Sequence, residues 1–171
     1  MTIIKTVKKV LDKVSDIALT ICMTAMAVVV FWQVFSRFVI NNPSFWSEEL
    51  ARYLMIWTTF IGAAVCVRDM SHMEVTFIPD LLLKKRIPYL IIRLIAYVFM
   101  LALGYFFFRY GMDYAKMGVS ATAPTIQLRM NYIYMIIPIS GVIIIVNVVE
   151  KIIEEIYYYK HPETRPEKTY K

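Results

Sequence analysis

The chain is 171 residues long, 59% hydrophobic and only 19% charged, with a formal net charge of +6. A soluble domain of this length does not bury so much apolar surface, so the composition excludes an ordinary soluble protein and points to an integral membrane protein. The basic residues flank apolar runs, which explains the charge by topology and gives no reason to invoke nucleic acid as a partner.

Residues 1–16 read as a basic cytoplasmic tail carrying Lys5, Lys8, Lys9 and Lys13. A first span is expected over 17–40. Ala25-Met26-Ala27 resembles a signal-peptide cleavage site, but the apolar run continues past it, and a signal core is only about 7–15 residues long. The helix is therefore expected to be retained. Further spans are expected over 47–67, 88–112 and 132–149, each close to the length of about 20 residues that a bilayer crossing needs. No alternating strand pattern occurs, and helices satisfy their own backbone hydrogen bonds in lipid. The expected fold is an all-α integral membrane protein, a 17–149 transmembrane domain of four helices packed as a bundle.

Between helices 2 and 3, Met73, Val75, Phe77, Ile78, Leu81, Leu82 and Leu83 precede Lys84, Lys85 and Arg86. Apolar residues beside a basic end suit an interfacial amphipathic segment, with a plain connecting loop as the simpler alternative. Residues 150–171 read as a cytoplasmic helix extension followed by a disordered tail rich in Pro, Glu, Lys and Thr.

Orientation follows from the basic residues outside the spans. Lys5, Lys8, Lys9, Lys13, Arg68, Lys84, Lys85, Arg86, Lys151, Lys160, Arg165, Lys168 and Lys171 flank one side, and only Lys116 and Arg129 the other. Cytoplasmic flanks carry the excess of Lys and Arg, so both termini are expected in the cytoplasm. The same basic faces would attract anionic membrane lipid.

The most informative residues lie at the entrance to the second span, where Trp46, Glu48, Glu49, Arg52 and Trp57 follow Arg37 of the first. A charged side chain carried into hydrocarbon costs about 2.5–3.5 kcal/mol on insertion scales, so it normally pairs or serves a function. The Asn41-Asn42-Pro43 turn brings Arg37 to the depth of Glu49 across an antiparallel pair, which predicts an ion pair of Arg37 with Glu49 or Glu48. Glu48 and Arg52 are spaced i,i+4 in the favourable order. The group reads as a polar cluster that locks the hairpin and meets a partner subunit. Capping of a helix at the wet interface is the blander alternative. Thr58, Gly62 and Cys66 place small residues at every fourth position of the second span, a pattern for close helix packing within this chain or against another.

Several chemistries find no support. Cys22 and Cys66 fall within spans, where a thiol behaves as a small apolar group and a disulfide is not expected. A membrane haem anchor needs imidazoles inside its spans, and His72 and His161 lie outside them. No catalytic, cofactor-binding or metal-ligating set is recognisable. Solute-carrying transporters usually break helices at midplane and place polar groups there, whereas the span centres here are nearly uniformly apolar, with Pro138 the sole candidate kink. The chain reads as a companion to something larger; a self-sufficient homo-oligomeric small transporter or channel, with Glu48, Glu49 and Arg37 at a pore mouth, is the alternative.

The runs Gln33-Val34-Phe35-Ser36-Arg37-Phe38 and Trp46-Ser47-Glu48-Glu49-Leu50-Ala51-Arg52-Tyr53, with Trp57 and Gly62-Ala63-Ala64, resemble the DctQ-like small membrane subunit of tripartite ATP-independent periplasmic (TRAP) transporters. Arg68, His72-Met73-Glu74-Val75, Pro124, Leu128, Tyr134 and Pro138 extend the likeness, while Thr76 and Met130 replace an acid and a proline usual in that family. The resemblance implies a scaffold subunit without cofactors in the bacterial inner membrane, binding a separate large membrane subunit. That larger subunit is expected to move the organic acid and the sodium ions. A periplasmic solute-binding protein would deliver the solute, with the 41–47 turn and 113–131 loop facing it.

Overall fold

The computed structural model describes residues 2–69 and 86–160. They form α1 (Thr2–Phe38), α2 (Phe45–Asp69), α3 (Arg86–Met117), a short α4 (Met130–Tyr134) and α5 (Ile136–Lys160). Lys8–Phe38, Phe45–Asp69, Leu94–Met117 and Met130–Ile153 are each long and apolar enough to cross a membrane, so α4 and α5 together make the fourth crossing. Among the described residues no strand forms; Thr122 and Arg129 make an isolated antiparallel bridge.

The helices extend beyond the expected spans. α1 starts at Thr2 rather than Ile17, because Ile3, Ile4, Val7, Val10, Leu11 and Val14 recur at helical spacing with no Gly or Pro among them. The region expected as a tail is thus a continuation of the first helix. α3 runs past residue 112 to Met117, and Gly118 ends it. The expected interfacial segment, His72 and the tail from His161 lie outside the described residues.

Two local features direct the chain at one end. Asn41 adopts a left-handed backbone, φ 52°, and the Asn42 N–H donates to the Ser36 carbonyl at 3.2 Å. Asparagine tolerates this conformation better than most residues, so α1 stops there and α2 returns antiparallel to it. In the fourth crossing, Pro138 has no N–H to donate to the Tyr134 carbonyl, and its ring would clash with that group. The helix breaks at Met135 and resumes at Ile136.

The most extensive helix contacts run in the order α1, α2, α5, α3, a row within the expected four-helix bundle, and Phe60 of α2 also meets Phe107 of α3 edge to face at 5.2 Å. Burial follows from that order. Within the most apolar stretch of each crossing, 11% of residues are buried in α1 and 17% in α3, against 44% in the fourth crossing, which has a neighbour on each side. Ala64 and Val67 of α2 share a core with Tyr97 of α3 and Ile144 and Val148 of α5. Cys22, Ile61 and Ile136 make a second core where α1, α2 and α5 meet.

The closest backbone approach joins α3 to the fourth crossing. A Cβ built on Gly141 would sit 2.7 Å from the Phe108 nitrogen and 2.8 Å from the Gly104 oxygen; one on Gly111 would sit 2.8 Å from the Pro138 nitrogen; one on Gly118 would sit 2.8 Å from the Asn131 nitrogen. These neighbours are backbone and cannot swing aside. By contrast, a Cβ on Gly62 would meet only Leu19 Cδ1, at an ordinary 3.7 Å, and Cys66 is exposed. Within this chain the close backbone packing thus runs along Gly104 and Gly111 of α3 and Gly118 just past its end, and not along Thr58, Gly62 and Cys66.

Enlarging Gly141 should force the two backbones apart, so Gly141→Val is expected to lower stability by about 1–3 kcal/mol or more, the usual cost of overpacking. Gly62→Ala should be nearly neutral. Thermal unfolding of the detergent-solubilised chain, followed by tryptophan fluorescence, compares the two; equal effects would mean that α3 and α5 are not held in this backbone contact.

Candidate functional site

The Glu49 carboxylate lies at the loop end of the row, turned inward and only 9% exposed. Helical spacing places Tyr53 one turn on, and its hydroxyl donates to Glu49 Oε1 at 2.7 Å. Glu49 Oε2 accepts the backbone N–H groups of Thr125 at 2.9 Å and Ile126 at 3.1 Å. Two adjacent amides and a phenol satisfy the charge without a cation, and such charge-assisted bonds are stronger than neutral ones.

The segment supplying those amides is itself a small built turn. Ala123 N–H donates to the Leu128 carbonyl at 2.8 Å, Gln127 N–H to the Ala123 carbonyl at 3.0 Å, and Met130 N–H to the Ala121 carbonyl at 2.9 Å. Gln127 takes a left-handed φ of 57°. Buried Ala123 packs with Tyr53 and Ile133, so the turn is clamped between the start of α2 and α4. The 113–131 loop and the start of the second span, separate in the sequence, therefore form one unit.

The expected Arg37 pair is not formed. Arg37 is exposed and makes no ion pair among the described residues. Its neighbour Ser36 is buried; adjacent helical residues point about 100° apart, so Arg37 faces outward. Glu48 is also exposed and pairs along its own helix with Arg52 at 3.4 Å, as the spacing predicted. Exposed pairs of this kind contribute little, about 0–1 kcal/mol. Trp46 and Trp57 both reach the outer surface. Of the six residues grouped at this entrance, only Glu49 is buried, and its partners are Tyr53 and a turn that pair reasoning across the first hairpin did not include.

The opposite end has its own polar ties, missed in the sequence. Arg68, at the end of α2, bonds Asp16 Oδ1 and Asp69 Oδ1 at 2.8 Å each, and reaches the Asp12 carbonyl at 3.4 Å. Lys8 and Glu150 form an ion pair. The start of α1 thus meets the ends of α2 and α5, and the two ends of the described chain leave the same end of the row. Asn147, 1% exposed, donates from Nδ2 to the Ala64 carbonyl at 3.3 Å, a polar tie within the α2–α5 contact. Asp12 and Asp16, one turn apart within a lysine run, were the visible signal for the Arg68 contact.

Among the described residues, no three His, Cys, Asp or Glu side chains gather to hold a metal ion. Most polar contacts join helix ends and a turn, while Ser140 and Asn147 are buried within the fourth crossing. Four apolar crossings define a multi-pass helical membrane protein. The chain belongs to the DctQ component family of tripartite ATP-independent periplasmic transporters, whose family model matches residues 26–157. It is similar to the sialic acid TRAP transporter small permease protein SiaQ of Vibrio cholerae, 28% identical over 87% of this chain and 85% of that protein. A Haemophilus influenzae protein named as a TRAP transporter small permease protein is 24% identical over 91% of this chain and 95% of its own length. A shorter stretch, 31% of this chain, is 38% identical to 9% of the sialic acid TRAP transporter permease protein SiaT of Haemophilus influenzae.

Removing the Glu49 acceptor strands two backbone N–H groups and the Tyr53 hydroxyl, whereas glutamine keeps one acceptor oxygen. Limited proteolysis within 119–129 should therefore be fastest in Glu49→Ala, slower in Glu49→Gln, and close to wild type in Glu48→Ala. A turn cleaved at the same rate in all three would show that Glu49 does not hold it.

Proposed function

We propose that this chain is the small scaffold subunit of a sodium-coupled TRAP transporter for an organic acid, anchoring a separate large subunit that carries both solute and sodium ions. The observation that carries the reading is the helix row. Its order of contacts encloses no polar lumen among the described residues, and the buried Glu49 and Asn147 hold the 121–130 turn and the α2–α5 contact. A carrier of its own solute would place polar groups around a central site. The named relatives support the same division of labour. The SiaT match supports it further, since a permease protein contains a stretch similar to this chain within a much longer polypeptide.

By this reading the protein is not an enzyme and resides in the bacterial inner membrane. Both termini are cytoplasmic, because the end formed by Lys8, Arg68 and Glu150 carries the basic flanks. The 41–47 turn and the 121–130 turn then face the periplasm, where the Glu49-held unit offers part of the docking surface for a solute-binding protein. The solute falls in the class to which sialic acid and C4-dicarboxylates belong. A channel made of this chain alone would need Arg37, Glu48 and Glu49 at one mouth. Glu49 instead points into the protein, and Arg37 and Glu48 face outward.

Orientation is tested by cysteine labelling in intact cells of a Cys66→Ser background. An impermeant maleimide should modify Ser120→Cys and spare Thr164→Cys. The reverse pattern would place the termini outside and remove the cytoplasmic assignment.

The division of labour is tested by transport. The chain should copurify with a larger membrane protein in mild detergent. In reconstituted vesicles, Glu48→Ala, Glu49→Ala, Arg52→Ala and Trp57→Ala should alter complex abundance or maximum uptake rate while leaving the rank order of competing organic acids unchanged. A changed order at equal abundance would put this chain on the solute path, and conduction by the chain alone in liposomes would favour a channel.

A further inference from the structure

The break in the fourth crossing has a consequence on its outer surface. Beside the turn from α4 into α5 at Met135, a groove of about 270 Å³ runs along the seam between the fourth crossing and α3. Phe108, Met112, Met135, Ile139 and Val142 line its body, and Lys116 stands at its rim. The position along the membrane normal is set by the helices. Lys116 is the penultimate residue of the third crossing, which ends at Met117. Phe108 lies eight residues earlier and hence about 12 Å deeper. The groove therefore runs from headgroup depth into the acyl region, with its one cation at the shallow end.

We infer that this groove is a binding site for one anionic glycerophospholipid, an acyl chain lying along Phe108, Met112, Ile139 and Val142 with the phosphate at Lys116. Two observations select this occupant. Charge is complementary: Lys116 is exposed and makes no ion pair among the described residues, while Arg109, two turns deeper, is held by Asp113. Polarity matches an amphiphile, since the lining is apolar except at the end where Lys116 and Asn131 stand.

The site lies at the loop end of the row, away from the basic flanks at the other end, so general attraction of lipid to those flanks does not account for it. It also stands independently of the transporter reading, because it uses only this chain's surface and the depth of its helices.

Native mass spectrometry of the full chain in detergent, titrated with dioleoylphosphatidylglycerol or dioleoylphosphatidylethanolamine, tests the inference. Wild type should retain one phosphatidylglycerol at lower concentration than phosphatidylethanolamine. Lys116→Gln should weaken phosphatidylglycerol retention about fivefold, the effect of one basic residue near a membrane surface, and bring the two lipids level. Arg129→Gln, which removes the other basic residue at this end, should change neither. Val142→Trp, which fills the groove, should abolish retention of both; if it fails to fold, the exposed Lys116→Gln variant carries the test alone. Equal retention of the two lipids by wild type, or unchanged phosphatidylglycerol retention in Lys116→Gln, would overturn the site. Loss of the lipid when the chain is purified with its large subunit would also overturn it, by showing that protein covers the groove.

Discussion

A carboxylate drawn into an apolar protein must find donors there, and the donors Glu49 finds determine how the loop end is built. Water is scarce at that depth, so an unsatisfied charge would be far more costly than an unsatisfied group at a soluble protein's surface. The amides of Thr125 and Ile126 can reach Glu49 Oε2 only if the 121–130 turn folds back over the start of α2. That placement buries Ala123 against Tyr53 and Ile133 and fixes where α4 begins. The geometry of the fourth crossing thus depends on a side chain of the second.

Glycine and proline then act together on the middle of the row. Pro138 breaks the fourth crossing just where Gly111 allows α3 to lie against the proline backbone. Gly104 and Gly141 repeat the close approach two turns deeper, and Gly118 repeats it against Asn131. Lipid tails are as apolar as leucine, so helices in a membrane associate through van der Waals contact and polar ties, and small residues make that contact closest. The most extensive contact in the row is the one where glycines face one another, and it is the one that supplies α5 with a second neighbour.

The number of crossings and the breaking role of Pro138 were legible in the sequence because apolar run length and missing backbone donors act locally. The Glu48–Arg52 pair was legible for the same reason, four residues apart on one helix. The partner of Glu49 was not. Its donors are backbone amides 76 and 77 residues away, and an amide carries no signature in the side-chain alphabet, so a search for an opposite charge settled on Arg37. The glycine contact was half visible: Gly104, Gly111 and Gly118 recur every seven residues, but the shorter Thr58, Gly62, Cys66 pattern on α2 drew the reading. Nor did apolar run lengths give the order in which the helices contact one another, because neighbours are set by contacts such as Asn147 with the Ala64 carbonyl.

The row is tied at both ends by polar contacts: Glu49 of α2 to the 121–130 turn at one, and Arg68 with Asp16 and Lys8 with Glu150 between helices at the other. Between them, backbone-to-backbone contact at the glycines resists sliding, since any shift drives carbonyl oxygens and ring atoms into one another. The outer surface of the row is apolar, with Phe31, Phe38, Phe45 and Phe99 each about three-quarters exposed. Outward apolar faces mix with lipid at no polar cost and can also meet another membrane protein by shape alone. Charge is concentrated at the rims, the place where flanking basic residues bias the height and orientation of membrane helices generally.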